Sequence, residues 1–254
     1  MLLKLESDLG ENLDMKKWMQ ALGLVYVLLL LGFCLPAVTA DSKNNASFSA
    51  EETAGTVTQE EQEEEKQEKP KIAITFDDGP SAVYTPVLLD GLKERGVHAT
   101  FFLIGKNIEQ GDNAQIVKRM QEEGHLIGNH TYNHVEITRV SNETAFQELK
   151  KTNDLIESIT GEPVEFMRPP FGLWQKELEQ QIHVLPVLWT IDPLDWATEN
   201  VDEIVNKVVT EAEENDMILL HDCYESSMKA ALRIIDLLQA EGFEFVTVDE
   251  LMVD

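Results

Sequence analysis

From Lys71 onward, short runs of consecutive apolar residues take turns with longer stretches in which apolar residues return every three or four positions. This alternation restricts the fold more than anything else in the chain. A short continuous apolar run suits a strand buried on both faces, and such strands belong to parallel sheets covered by helices. Strands are expected at Ile72–Phe76, Ala99–Ile104, Leu126–Ile127, Val164–Met167, Val184–Ile191, Met217–Leu220 and Phe243–Val248. Helices are expected at Thr85–Arg95 before Gly96, at Ala114–Glu123 before Gly124, and from a Ser141 cap through Ile159 before Gly161. Two more run from Asn200, paired with Glu203 as in a capping box, to Glu214, and from Met228 to Ala240. The expectation is an α/β domain, as an open sheet or a closed barrel wrapped by helices.

Polar residues cluster where those strands run out. Asp77 and Asp78 follow the first strand in Thr75-Phe76-Asp77-Asp78-Gly79-Pro80, and Gly-Pro stops the strand from continuing. At a frayed strand end both carboxylates can reach one cleft, so that one holds a metal while the other moves a proton. His130 and His134 follow the third strand, Arg168 the fourth, Asp192 and Asp195 the fifth, His221 and Asp222 the sixth. Carboxyl ends of parallel strands form the ligand-binding rim of such folds, so one rim collects these groups. Histidines four apart on a helical turn can point at one ion. The metalloprotease form of that pair needs a Glu after the first His, where this chain has Thr131, so a hydrolase would take its base from Asp77-Asp78.

The stretches Thr75–Gly79, His130-Thr131-Tyr132-Asn133-His134, Arg168-Pro169-Pro170-Phe171-Gly172, Asp192-Pro193-Leu194-Asp195-Trp196 and Leu219-Leu220-His221-Asp222 resemble the five ordered motifs of the polysaccharide deacetylases. This is carbohydrate esterase family four, or the NodB-homology domain, and the resemblance runs from Lys71 to the C-terminus. It implies a distorted (β/α) barrel with a metal in a groove at the strand ends. It implies Asp78, His130 and His134 as ligands of one divalent ion, zinc first, with cobalt, nickel, iron and manganese also suited to such a mixed site. Asp77 would be the general base, oriented by Arg168, and His221 the general acid, with Asp192 preferred to Asp195 as its acidic partner. Pro170, Phe171, Gly172, Trp196 and Leu219 would line the substrate. Phe171 departs from the Tyr frequent at its position, but the implied role there is a backbone N–H toward the oxyanion, which Phe supplies equally. Trp174 and Trp189 suit either a sugar wall or the core.

The activity this implies is removal of N-acetyl groups from peptidoglycan or a chitooligosaccharide. Acetyl xylan O-deacetylation and a catalytically inactive carbohydrate-binding module are the alternatives. A non-haem iron facial triad would use the two His and one carboxylate but leaves the other motifs without a role.

A net charge of -27 argues against nucleic acid as a partner. The first forty residues read as an export signal: Met15-Lys16-Lys17 gives a positive start, Ala21–Leu35 an apolar run, and Pro36–Ala40 a small-residue site for cleavage after Ala40. Acidic residues before Met15 suggest that Met15 is the true start. The apolar run is short for a permanent membrane anchor, so membrane contact is expected only if the signal stays uncleaved. Residues 41–69 are polar and acidic and read as a disordered linker, leaving 70–254 as the catalytic domain. Cys34 leaves with the signal, so Cys223 is expected as a free thiol. The expected product is a secreted or cell-wall associated monomer.

Overall fold

The computed structural model describes residues 69–253. The signal segment, the alternative start at Met15 and all but the last residue of the acidic linker lie outside them.

Strand β1, Lys71–Asp77, sits at the centre and its side chains divide by the period of two. Ile72, Ile74 and Phe76 face outward. They pack with Leu88, Leu89 and Leu92 of helix α1, Thr85–Arg95, and with Ile234, Ile235 and Leu238 of a later helix. Ala73 faces the other way, onto Phe102, Phe166, Val187, Val246 and Val248. Thr75 and Asp77 continue that inward row, so the strand that builds the core also aims a carboxylate into the interior.

Around β1 the described residues form one sheet, every pair parallel. Its other strands are β2, Thr100–Leu103; β3, Leu126–Asn129; β4, Phe166–Met167; β5, Leu185–Pro186; β6, Met217–His221; and β7, Glu244–Val246. The order is β5-β4-β3-β2-β1-β6, with β7 beside the first residues of β1. The single strand expected over Val184–Ile191 is divided. Its start pairs with β4, while Ile191 bridges Ile218 of β6 and accepts from the Leu219 N–H at 2.9 Å. That crossing span curls the sheet toward closure as a distorted barrel.

Between the strands lie α2, Gly105–Ile108; α3, Asn113–Glu122; α4, Asn142–Thr160; α5, Val201–Glu211; α6, Glu225–Ala240; and α7, Val248–Val253. Helix α1 starts at a Pro and ends at Gly96, whose φ of 62° is the left-handed conformation glycine tolerates. Ser141 accepts from the Thr144 N–H, capping α4 as expected. The last expected strand overran: the chain turns into α7 after Thr247, whose N–H and hydroxyl both donate to Glu250 Oε2 at 3.0 Å. Val248 and Leu251 thereby enter the interior apolar cluster. Each such fully buried side chain contributes about 1.5–3 kcal/mol.

Candidate active site

Parallel register places the functional groups at one level. Asp77, the last residue of β1, is the register partner of His221, the last of β6. His130 follows β3 and Arg168 follows β4, whose residues Asn129 and Met167 are themselves partners. Asp77 is 3% exposed and its Oδ1 accepts from Arg168 Nη1 at 2.9 Å. Arg168, fully buried, also donates to Thr75 Oγ1 at 2.6 Å and to the Leu188 carbonyl at 2.8 Å. Burial pushes the Asp77 carboxyl above its usual range, against the opposing charges of Arg168 and His221. A carboxylate whose pKa is raised in this way binds a proton more readily.

The neighbouring Asp78 takes a left-handed φ of 70°, which breaks the strand's alternation and turns its carboxylate to the same side as Asp77. Its Oδ1 lies 3.5 Å from His130 Nε2 and 3.4 Å from His134 Nε2, and is buried without a hydrogen bond. Two ligands at the usual zinc distances and a tetrahedral angle stand about 3.4 Å apart. The donor set therefore fits one divalent ion, and a buried orphaned carboxylate oxygen is the signature such a site leaves. His130 Nδ1 is 2.6 Å from the Arg168 carbonyl, so it carries the proton and Nε2 presents its lone pair toward Asp78. Burial, opposed by Asp78, lowers His130 to about 3 and keeps that imidazole neutral.

The helical turn expected for the two histidines is not what joins them. Residues 130–134 form an irregular loop with Thr131 at φ 63° and His134 at φ 58°. Asn129 shapes its start: its Oδ1 accepts from the Thr131 N–H at 2.7 Å and its Nδ2 donates to the Leu149 carbonyl at 2.8 Å. Spacing alone carries no trace of this.

A second correction concerns the partner of His221. The carboxylate against it is Asp195, 1% exposed, with Oδ1 2.8 Å from His221 Nδ1 and Oδ2 accepting from the His221 N–H at 2.8 Å. Asp192 is engaged in its own turn, accepting from the Leu194 N–H at 2.8 Å. Leu194 then adopts a left-handed φ of 58° and brings Asp195 back beneath β6. Burial pulls the His221 imidazole down, but the Asp195 hydrogen bond and charge outweigh it and raise the group to about 9. His221 is therefore a cation at neutral pH with Nε2 free of Asp195.

The remaining expected residues fall around this centre. Phe171, 63% exposed, sets its ring edge against His134 at 5.0 Å between centroids. Its φ of 61° turns the loop between Pro170, which is buried, and Gly172, whose missing side chain lets Trp189 approach. Trp196 is exposed beside Asp195, and Leu219 is buried on the strand face shared with His221. Asp222 faces away from the ligands: its Oδ2 accepts from Thr85 Oγ1, and its oxygens would lie 2.5 Å from any Cβ at Gly79. Cys223 is outside the Asp78–His130–His134 group, and burial pushes its thiol up to about 12.

Comparison with known proteins gives the family of the chain. Residues 64–187 match the family model described as polysaccharide deacetylase. The chain is 36% identical to the peptidoglycan-N-acetylglucosamine deacetylase PgdA of Listeria monocytogenes over 71% of its own length and 38% of that protein's. It thus spans well under half of that relative. With the chitooligosaccharide deacetylase of Rhizobium leguminosarum bv. trifolii it shares 35% identity over 68% of this chain and 87% of the relative. The solved structure of peptidoglycan deacetylase PdaC from Bacillus subtilis superposes with a TM-score of 0.70 at 38% identity, covering 72% of this chain and 90% of that one.

Proposed function

Because the chain belongs to the polysaccharide deacetylase family, we propose that it is a metal-dependent hydrolase removing N-acetyl groups from amino sugars of a cell-envelope glycan, peptidoglycan or a chitooligosaccharide. The observation that carries the reading is the convergence on one rim of an Asp-His-His donor set, a buried Asp77–Arg168 pair and a His221–Asp195 pair. An amide has a poor electrophile and a poor leaving group, and these groups answer both difficulties. A divalent ion held by Asp78, His130 and His134 would polarise the acetyl carbonyl and acidify water.

The chain's own residues do the proton work. Asp77, held by Arg168, takes a proton from the attacking water as its oxygen bonds to the acetyl carbon. The backbone N–H of Phe171 is the donor proposed for the developing oxyanion. His221 gives its Nε2 proton to the sugar nitrogen as the C–N bond breaks, releasing acetate and a free amine. Asp195 fixes the ring through Nδ1 and holds it charged.

Acetate release from peptidoglycan, chitooligomers and acetylated xylan tests the reading. The N-acetylated glycans are expected to be deacetylated faster than xylan, with activity lost to a chelator and restored by zinc or cobalt. Preference for xylan would make the protein an ester hydrolase, and undiminished activity after exhaustive chelation would remove the metal from the mechanism.

The His221 assignment also fixes a pH dependence. A proton donor raised to about 9 is present at neutral pH and lost as pH rises through that value, so kcat/KM should fall on the alkaline side there. Asp195→Asn removes the largest contributions that raise it, leaving those of Asp77 and Asp78, and the alkaline limb should move to lower pH. A limb that stays in place would assign it to another group. Export to the cell envelope belongs to the same proposal, resting on the Met15–Ala40 pattern, and a mature N-terminus at Asp41 in the secreted fraction would support it.

A further inference from the structure

The loop that brings His130 and His134 together contains two non-glycine residues in left-handed backbone, Thr131 at φ 63° and His134 at φ 58°, a conformation that costs energy in a residue with a side chain. Something must hold that shape. Between the two strained positions the N–H groups of Tyr132 and Asn133 converge on a single oxygen, Glu148 Oε2, at 3.0 and 2.7 Å. The other oxygen, Oε1, accepts from Asn133 Nδ2 at 2.8 Å. Successive amides in such a turn form a concave anion-binding nest, and here a carboxylate from α4 fills it. The same helix takes the other end of the loop, since the Leu149 carbonyl accepts from Asn129 Nδ2. Leu149 is fully buried, so this stretch of α4 is a rigid base.

We propose that Glu148 is a positioning residue of the metal centre: its carboxylate, seated in the Tyr132–Asn133 nest, holds the left-handed loop so that both imidazoles meet Asp78. It touches neither substrate nor ligand nitrogen and acts through the loop's two backbone N–H groups and the Asn133 amide. The inference rests on the Asp78–His130–His134 metal reading. Without Glu148 the loop relaxes from its two strained residues and the imidazoles lose their common focus, so metal affinity falls while the α/β core stays folded.

The test is a titration of metal-free full-length protein with zinc, and with cobalt followed by its visible absorption, for the wild type, Glu148→Ala, Glu148→Gln and His134→Ala. Glu148→Ala should bind zinc about 10–100-fold more weakly, the usual range for groups that orient ligands. Its cobalt spectrum should change. Glu148→Gln should recover most of the affinity, because one carbonyl oxygen can still accept both N–H groups while the Asn133 amide turns over. Wild-type affinity in Glu148→Ala, or a loss in Glu148→Gln as large as in Glu148→Ala, would overturn the proposal. If Glu148→Ala does not fold, Glu148→Asp, one methylene short of the nest, must still bind zinc more weakly than the wild type; equal binding refutes the role. Failure of the wild type to bind either metal, or equal binding by His134→Ala, would instead defeat the metal reading beneath it.

Discussion

Arg168→Met is expected to destabilise the protein by about 3–5 kcal/mol, the range for removing one partner of a buried ion pair. The methionine can reoccupy the space over the Phe102 ring, where the guanidinium carbon now sits 4.3 Å from the centroid. It cannot donate to Thr75, Asp77, Val187 and Leu188, which the guanidinium serves together. Asp77, already raised by burial and held back by Arg168, would rise further. A carboxyl whose folded pKa exceeds its unfolded one opposes folding once pH passes the unfolded value. The deficit of the variant should therefore be smallest in acid and grow as pH rises until Asp77 ionises. Turnover should fall with it, since less of the base is ionised at any given pH. Arg168→Lys keeps the charge but not the fork, and should fall between the two. Denaturant unfolding of the three proteins at acidic and neutral pH checks this, and a stable, active Arg168→Met would contradict the account of the pair.

Much of the scaffold was legible in the residues because its signals are local. The limits of α1 match the expectation because Pro86 and Gly96 bracket it, and Ser141 marks α4 by its own side chain. The inward and outward faces of β1 follow from alternation alone. Groups that act over distance were less legible. Asp192 and Asp195 stand three apart in one motif, and which of them meets His221 depends on an Asx turn and one left-handed leucine. The histidine pair suggested a helix by its spacing, whereas the loop is held by Asn129 and Glu148 from outside it. The divided strand over Val184–Ile191 reads as one apolar run because both its ends are buried, though against different neighbours. Thr247 and Glu250 carried a capping-box signal at the sequence level, obscured by the apolar residues around it.

Asp77→Asn and Asp78→Asn should fail in different ways, although the residues are adjacent. Asparagine at 77 keeps an oxygen for Arg168 and leaves Asp78, His130 and His134 undisturbed, so the metal should remain bound. The attacking water loses its proton acceptor, and turnover should fall by about 10²–10⁴-fold. Asparagine at 78 puts a neutral amide where the orphaned Oδ1 now faces both imidazole nitrogens, and a neutral oxygen is a poorer ligand than a carboxylate. Metal content and activity should then be lost together. The direct measurement is metal content by elemental analysis beside acetate release from an N-acetylated glycan, made on the same preparations of the wild type and both variants. The expected result is a metal-loaded, nearly inactive Asp77→Asn and a metal-poor, inactive Asp78→Asn. Asp77→Asn losing its metal while Asp78→Asn keeps it, or Asp77→Asn turning over at the wild-type rate, would contradict the division of base and ligand.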